Sequence, residues 1–96
     1  MSEQTLSEFE NEARERGFDE VVERRWKPLL ETGTHSHPFS VEALVVAGEM
    51  WLSVGEATRH LRPGDRFELD RDVPHAERYG SEGATYWAAR RSGAAA

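Results

Sequence analysis

The chain has 96 residues, 38% of them hydrophobic and 31% charged, with 18 acidic against 12 basic side chains and a net charge of −6. That length holds one domain with a thin core, burying about 60–65% of the surface its unfolded chain exposes. The acidic balance, with Lys27 the only lysine, argues against a nucleic-acid partner. The lack of any long apolar run excludes a membrane span, and the lack of cysteine excludes disulfides.

Thr5-Leu6-Ser7-Glu8 has the form of a capping box, and Gly17 stands where the helix it opens would stop. Glu10–Arg14 and Glu12–Arg16 are favourable pairs one turn apart, and Leu6, Phe9 and Ala13 form a narrow apolar stripe. This N-terminal helical segment, residues 1–17, is expected to serve as a lid or a dimer contact. From Phe18 the pattern turns to strands. Val21–Trp26 closes at Pro28, and Ala43–Ala47 is an apolar strand expected to end at Gly48-Glu49. Met50–Val54 and Thr58–Leu61 read as arms of a hairpin around Gly55-Glu56, and Pro63-Gly64-Asp65 as a type II turn. Phe67 and Leu69 alternate with charges, and Pro74–Tyr79 and Ala84–Ala89 complete the sheet. Residues 18–91 are therefore expected to form the β domain, with a disordered tail expected over 92–96. Short strands with Gly and Pro turns indicate a sandwich or barrel.

Chemistry concentrates in His35-Ser36-His37 and in His75 of Asp72-Val73-Pro74-His75. Two histidines at i, i+2 on a strand share a face, so two imidazoles can converge on one ion while a third arrives from a distant strand. Ser36 points the other way, which argues against a serine nucleophile. His60 falls opposite Trp51 on the hairpin, away from the three. Glu77, two residues after His75, shares its face and is a reserve carboxylate. Phe39, Phe67, Tyr79, Tyr86 and Trp87 are candidate pocket walls, each equally explained as core. Asp65 and Glu68 sit near a turn with no partner identifiable from sequence.

Gly33-Thr34-His35-Ser36-His37, Gly48-Glu49, Pro63-Gly64-Asp65 and Asp72-Val73-Pro74-His75, in that order, resemble the two conserved motifs of the cupin superfamily, in its small single-domain, type 2 conserved-barrel form. The resemblance covers roughly residues 33–79. It implies an all-β fold, the cupin double-stranded β-helix or jelly-roll barrel, here with a short N-terminal α-helix. It also implies metal ligands at His35, His37 and His75. The family's first-motif glutamate falls on Glu42 counting from His37, but on Val41 counting back from Gly48. A slip of one residue turns a strand side chain to the other face, so the two counts differ in consequence. Asp70 and Asp72 stand where the family favours Pro and Gly, and Tyr79 where it favours Asn.

The ligand set expected is thus His35, His37, His75 and Glu42, around a divalent ion whose identity among Fe, Mn, Ni, Cu and Zn the donors do not decide. Such a centre would act on or bind a small-molecule metabolite, with dioxygenase chemistry ranked above isomerisation. The alternatives are a non-catalytic ligand-binding or sensor barrel, and a structural barrel whose histidines are vestigial. A cytoplasmic protein is expected, without nucleic-acid or membrane partners. It is expected to pair as a homodimer, with Trp26 on the first strand a plausible contact.

Overall fold

The computed structural model describes residues 4–91, so the tail expected over 92–96 lies outside the described residues. One helix, α1 (Leu6–Glu15), precedes five strands: β1 (Glu20–Trp26), β2 (Ser40–Val54), β3 (Ala57–Leu61), β4 (Arg66–Leu69) and β5 (Ala76–Arg91). Every strand pairing is antiparallel. The expected all-β barrel with one short helix is the architecture observed.

Two long strands organise it. β2 and β5 pair from Ser40 opposite Arg91 to Ser53 opposite Ala76, with register shifts between Val45 and Ala47 and between Gly48 and Met50. Beside the first half of β2 and the second half of β5 lie β4 and β1. Beside the other halves lie β3 and a segment containing Glu31 and His35. All five strands thus belong to one sheet, in the order β1-β5-β2-β3 with β4 also paired to β2, and the two long strands carry all the others.

The sequence pattern reads Gly48 as a strand end and separates Pro74–Tyr79 from Ala84–Ala89. Instead both strands run through. Gly48 and Gly83 both adopt φ of +73°, a region open to glycine at little cost. They bend the chain where the two strands touch: a Cβ at Gly48 would lie 2.8 Å from the Ala84 Cα. Glycine here ends neither strand; it lets the strands turn a corner together.

Alternation then sorts the side chains. Val41, Ala43 and Val45 of β2, with Tyr86 and Ala88 of β5, join one core alongside Met50, Leu52, Leu61, Phe67 and Tyr79. Leu44 and Ala89, one step out of phase, face outward and bury Phe9 and Ala13 of α1. The helix begins with the capping box: Glu8 N–H donates to Thr5 Oγ1 at 3.1 Å, and Thr5 N–H donates to Glu8 Oε1 at 2.8 Å. It stops at Gly17, whose φ is +88°. Because its apolar stripe is spent on the outer face of the sheet, α1 is not a lid over the interior. Among the described residues no helix is long and apolar enough to cross a membrane.

Candidate metal centre

His35 and His75 are hydrogen-bonded partners across antiparallel chains. His35 N–H donates to the His75 carbonyl at 2.9 Å and His75 N–H to the His35 carbonyl at 2.8 Å. Directly opposed residues project to one face, and here their ring centroids are 4.4 Å apart. His37 follows at i+2, with its ring 5.0 Å from His35 and 5.1 Å from His75. Asp72 N–H, donating to the His37 carbonyl at 2.8 Å, fastens that end of the segment. One ligand nitrogen from each of the three lies within 4.8 Å of the others, a group that can hold a metal ion.

The rings are set in the tautomer such an ion requires. His35 Nδ1 lies 2.8 Å from the Gly33 carbonyl and His75 Nδ1 lies 2.9 Å from the Val73 carbonyl. A carbonyl oxygen only accepts, so each Nδ1 carries a proton and Nε2 is the nitrogen left to face the site. The His75 side chain is 2% exposed, and its Nε2 is buried with no hydrogen-bond partner. A buried acceptor left in this way costs stability unless something fills the place. His37 is held below the usual histidine pKa, first by burial and then by the two neighbouring imidazoles, which favours the neutral, ligating form.

Beside the His35–His75 edge sits Glu77, also buried. Its Oε2 is 3.6 Å from Nε2 of both His35 and His75, close to the donor–donor spacing of about 3.4 Å in a tetrahedral site with ~2.1 Å ligand bonds. Its Oε1 accepts hydrogen bonds from the Tyr79 hydroxyl and, at 3.3 Å, from the Tyr86 hydroxyl. Tyr79 reaches Glu77 along its own strand at i+2. Tyr86 reaches it from beyond the bend of β5. The Tyr86 pKa is pushed up to about 12 by burial and then by the Glu77 charge. That of Tyr79 is raised by burial, then by Tyr86 and Glu77. Both hydroxyls stay protonated donors.

Glu42 is not in this group. Its carboxylate pairs with Arg16 at 2.5 Å, on the outer side of β2. Val41 takes the cavity-facing position. The count from His37 fails because residues 38 and 39 lie outside any strand, so alternation does not carry across them. The count from Gly48 finds the right face. Trp87 is also out of place as a pocket wall: it packs on Phe9 at 5.9 Å and its Nε1 donates to Glu23 on the outer surface. Trp26 turns inward and stacks on Tyr79 at 5.2 Å, while staying half-buried. His60 stacks on Trp51 at 4.5 Å and bonds Glu49 at 2.6 Å, away from the three histidines as expected. Asp65 accepts from the Arg62 backbone N–H across its turn.

A narrow cavity of about 40 Å³ opens onto the site, lined by His37, His75, Glu77 and Tyr86 and walled by Phe39 and Phe67. Sequence reasoning missed two further lining residues, Arg24 and Arg90. The signal for Arg24 was available: it lies midway between Val22 and Trp26, at i±2 from both, and so shares their inward face.

No family model matches the sequence, and no curated protein matches it. Among solved structures, a cupin-like protein from Thermotoga maritima superposes with TM-score 0.67 at 23% identity, over 75% of this chain and 56% of that one. A DMSP lyase structure (RdDddP and RnDddQII) gives TM-score 0.69 at 25% identity, over 74% of this chain and 37% of that one. The polyketide cyclase RemF from Streptomyces resistomycificus gives TM-score 0.65 at 24% identity, over 83% of this chain and 60% of that one. The chain thus spans 37% to 60% of the lengths of these three proteins. What they share with it is the fold.

Proposed function

We propose that this chain, a cupin-type domain by its fold, binds a divalent metal ion through His35, His37 and His75, and uses it to act on a small molecule. The observation that carries the reading is His75 Nε2, buried with no hydrogen-bond partner and grouped with nitrogens of two other imidazoles. Glu77 completes the set on the His35–His75 side, in the role the sequence assigned to Glu42. A bound ion would supply Lewis acidity and open coordination positions, and as Fe or Cu it would also support dioxygen chemistry.

The chain's own residues do the remainder. Carbonyls of Gly33 and Val73 lock two imidazole tautomers. Phe39, stacked on His37 at 4.9 Å, holds that ring's plane and keeps water from its face. Tyr79 and Tyr86 fix the Glu77 carboxylate by one oxygen and leave the other directed at the histidines. The narrow cavity admits only a small ligand fragment beside them.

Dioxygenase-like turnover of a small metabolite is the leading enzymatic reading. Redox-neutral chemistry is the second, because two fold neighbours are named as a lyase and a cyclase. Elemental analysis of protein purified without added metal tests the centre. About one equivalent in wild type, lost in His37→Ala and His75→Ala, is expected; background levels in all three refute it. Oxygen uptake with a panel of catechols, thiols and diketones separates the first chemistry from the second and from a ligand-binding barrel.

A further inference from the structure

Two arginines face the interior of an otherwise acidic chain. On β1, alternation directs Val22, Arg24 and Trp26 inward, and register sets Arg24 opposite Tyr86 and Glu20 opposite Arg90. Arg24 and Arg90 both line the cavity that holds His37, His75 and Glu77. The Arg24 guanidinium lies 4.6 Å from the Trp26 ring centroid and forms no ion pair among the described residues. Arg90 lies over Phe39 at 4.8 Å, and its charge is felt by His37. Its link to Glu20, at 3.5 Å, leaves that acid more than half exposed.

Arg24 is half-buried, and the one carboxylate lining the cavity with it, Glu77, is engaged by the two tyrosine hydroxyls and turned toward the histidines, so an anion entering the cavity would meet a guanidinium that no ion pair among the described residues occupies. Covering Trp26 needs no charge, since an uncharged side chain of similar length would do it. Arginine's planar fork matches a carboxylate, through two parallel charge-assisted hydrogen bonds. The cavity is far smaller than the 300–1,000 Å³ typical of drug-sized sites, so the ligand portion within it has only a few heavy atoms.

We infer that the site selects a short-chain carboxylic acid, its carboxylate held by Arg24, with Arg90 supplying a second positive charge at the mouth and the remainder of the ligand directed at the histidine cluster. This rests on the metal-site reading above and narrows it to a substrate class. Neither arginine is a metal ligand, so metal content and carboxylate binding are separable measurements.

The test uses zinc-loaded protein titrated with pyruvate and with its uncharged amide, pyruvamide, followed by calorimetry and by amide chemical shifts. Both probes carry the same carbonyl, so a difference between them reports the charge. Pyruvate is expected to bind about ten-fold or more tightly than pyruvamide. Arg24→Gln should bring pyruvate down to the level of pyruvamide with zinc content unchanged. Arg24→Lys should fall between, and Arg90→Gln should weaken binding less while flattening its salt dependence.

Equal binding of the two probes, no binding of either, or full pyruvate affinity in Arg24→Gln overturns the inference. In the last case Arg24 merely covers Trp26. If wild type takes up no zinc, the metal reading fails, and the same titration on the metal-free chain decides the anion site alone. A pyruvate preference that still depends on Arg24 supports it, and its absence refutes it.

Discussion

Replacing Glu77 by Gln separates its part in the buried hydrogen-bond network from its proposed part in holding a metal ion. In the metal-free chain the change should be harmless or favourable. The amide oxygen can keep the hydrogen bonds from Tyr79 and Tyr86, while the amide N–H groups face the lone pairs of His35 and His75 that now stand 3.6 Å from Oε2. A buried charge disappears and no donor is orphaned, so the midpoint of thermal unfolding should stay at or above that of wild type. With metal the balance reverses. Loss of a partner outside the ligand shell typically costs about 10–100-fold in metal affinity, and loss of a charged donor belongs at the upper end, about 100-fold. At metal one hundred times the wild-type dissociation constant, wild type gains about 2.7 kcal/mol, whereas a variant bound 100-fold more weakly gains only about 0.4 kcal/mol. For a domain of this size 1 kcal/mol moves the midpoint by about 4–8 °C, so the metal-induced rise should collapse from about 11–22 °C to about 2–3 °C. Thermal scans of chelated and zinc-loaded protein read both quantities. An undiminished rise in Glu77→Gln would show that Glu77 is no ligand. A drop of many degrees in the chelated variant would show that the fold itself depends on the charge.

Other substitutions address the frame. Gly48→Ala should cost about 3–5 kcal/mol or abolish folding, because its Cβ meets backbone, whereas Gly55→Ala, at φ +60° with nothing within 4 Å, should cost only about 1–2 kcal/mol in chemical denaturation. Asp72→Gly should leave stability unchanged or raise it by up to about 1 kcal/mol, since Asp72 holds φ of +64°; a clear loss would mean its side chain carries an unseen role. Phe9→Ala should cost about 3–5 kcal/mol yet leave metal content intact, because α1 packs on the outer face; lost metal would contradict that placement. In chelator-treated protein the only two tyrosines, Tyr79 and Tyr86, should show no tyrosinate absorbance near pH 10. Tyr86 keeps its proton in the folded chain up to about 12, against 10.0 for an ordinary tyrosine. The stability carried by its protonated form is full below 10 and lost as pH rises from there through about 12. Titration of both residues at the ordinary value would refute the buried network.

Local signals in the sequence were enough for much of this. The capping box, the hairpin around Gly55, the turn at Pro63-Gly64 and the sharing of one face by His35, His37 and His75 all depend on neighbours a few residues apart. Glu77 followed from His75 by the same two-residue rule. What escaped depended on distant packing. The bends at Gly48 and Gly83 exist because two strands meet there, and nothing within either strand distinguishes a corner from an end. Glu42 was misplaced by carrying alternation through a stretch that is not a strand. Arg24 was hidden by the run Glu23-Arg24-Arg25, which reads as a solvated edge until its flanking Val22 and Trp26 are seen to point inward.

The corner in β5 has a mechanical meaning for the centre it serves. Glu77 and Tyr86 belong to one continuous strand, folded so that its two arms face each other, and the hydroxyl of one arm meets the carboxylate of the other. The span between them is therefore governed by the opening angle at Gly83 rather than by how separate elements dock. A small change at that corner would lengthen or shorten the tyrosine–carboxylate contact, and with it how firmly the other oxygen is held toward the histidines. The aim of the candidate donors can thus be set from a backbone vertex that lies outside them.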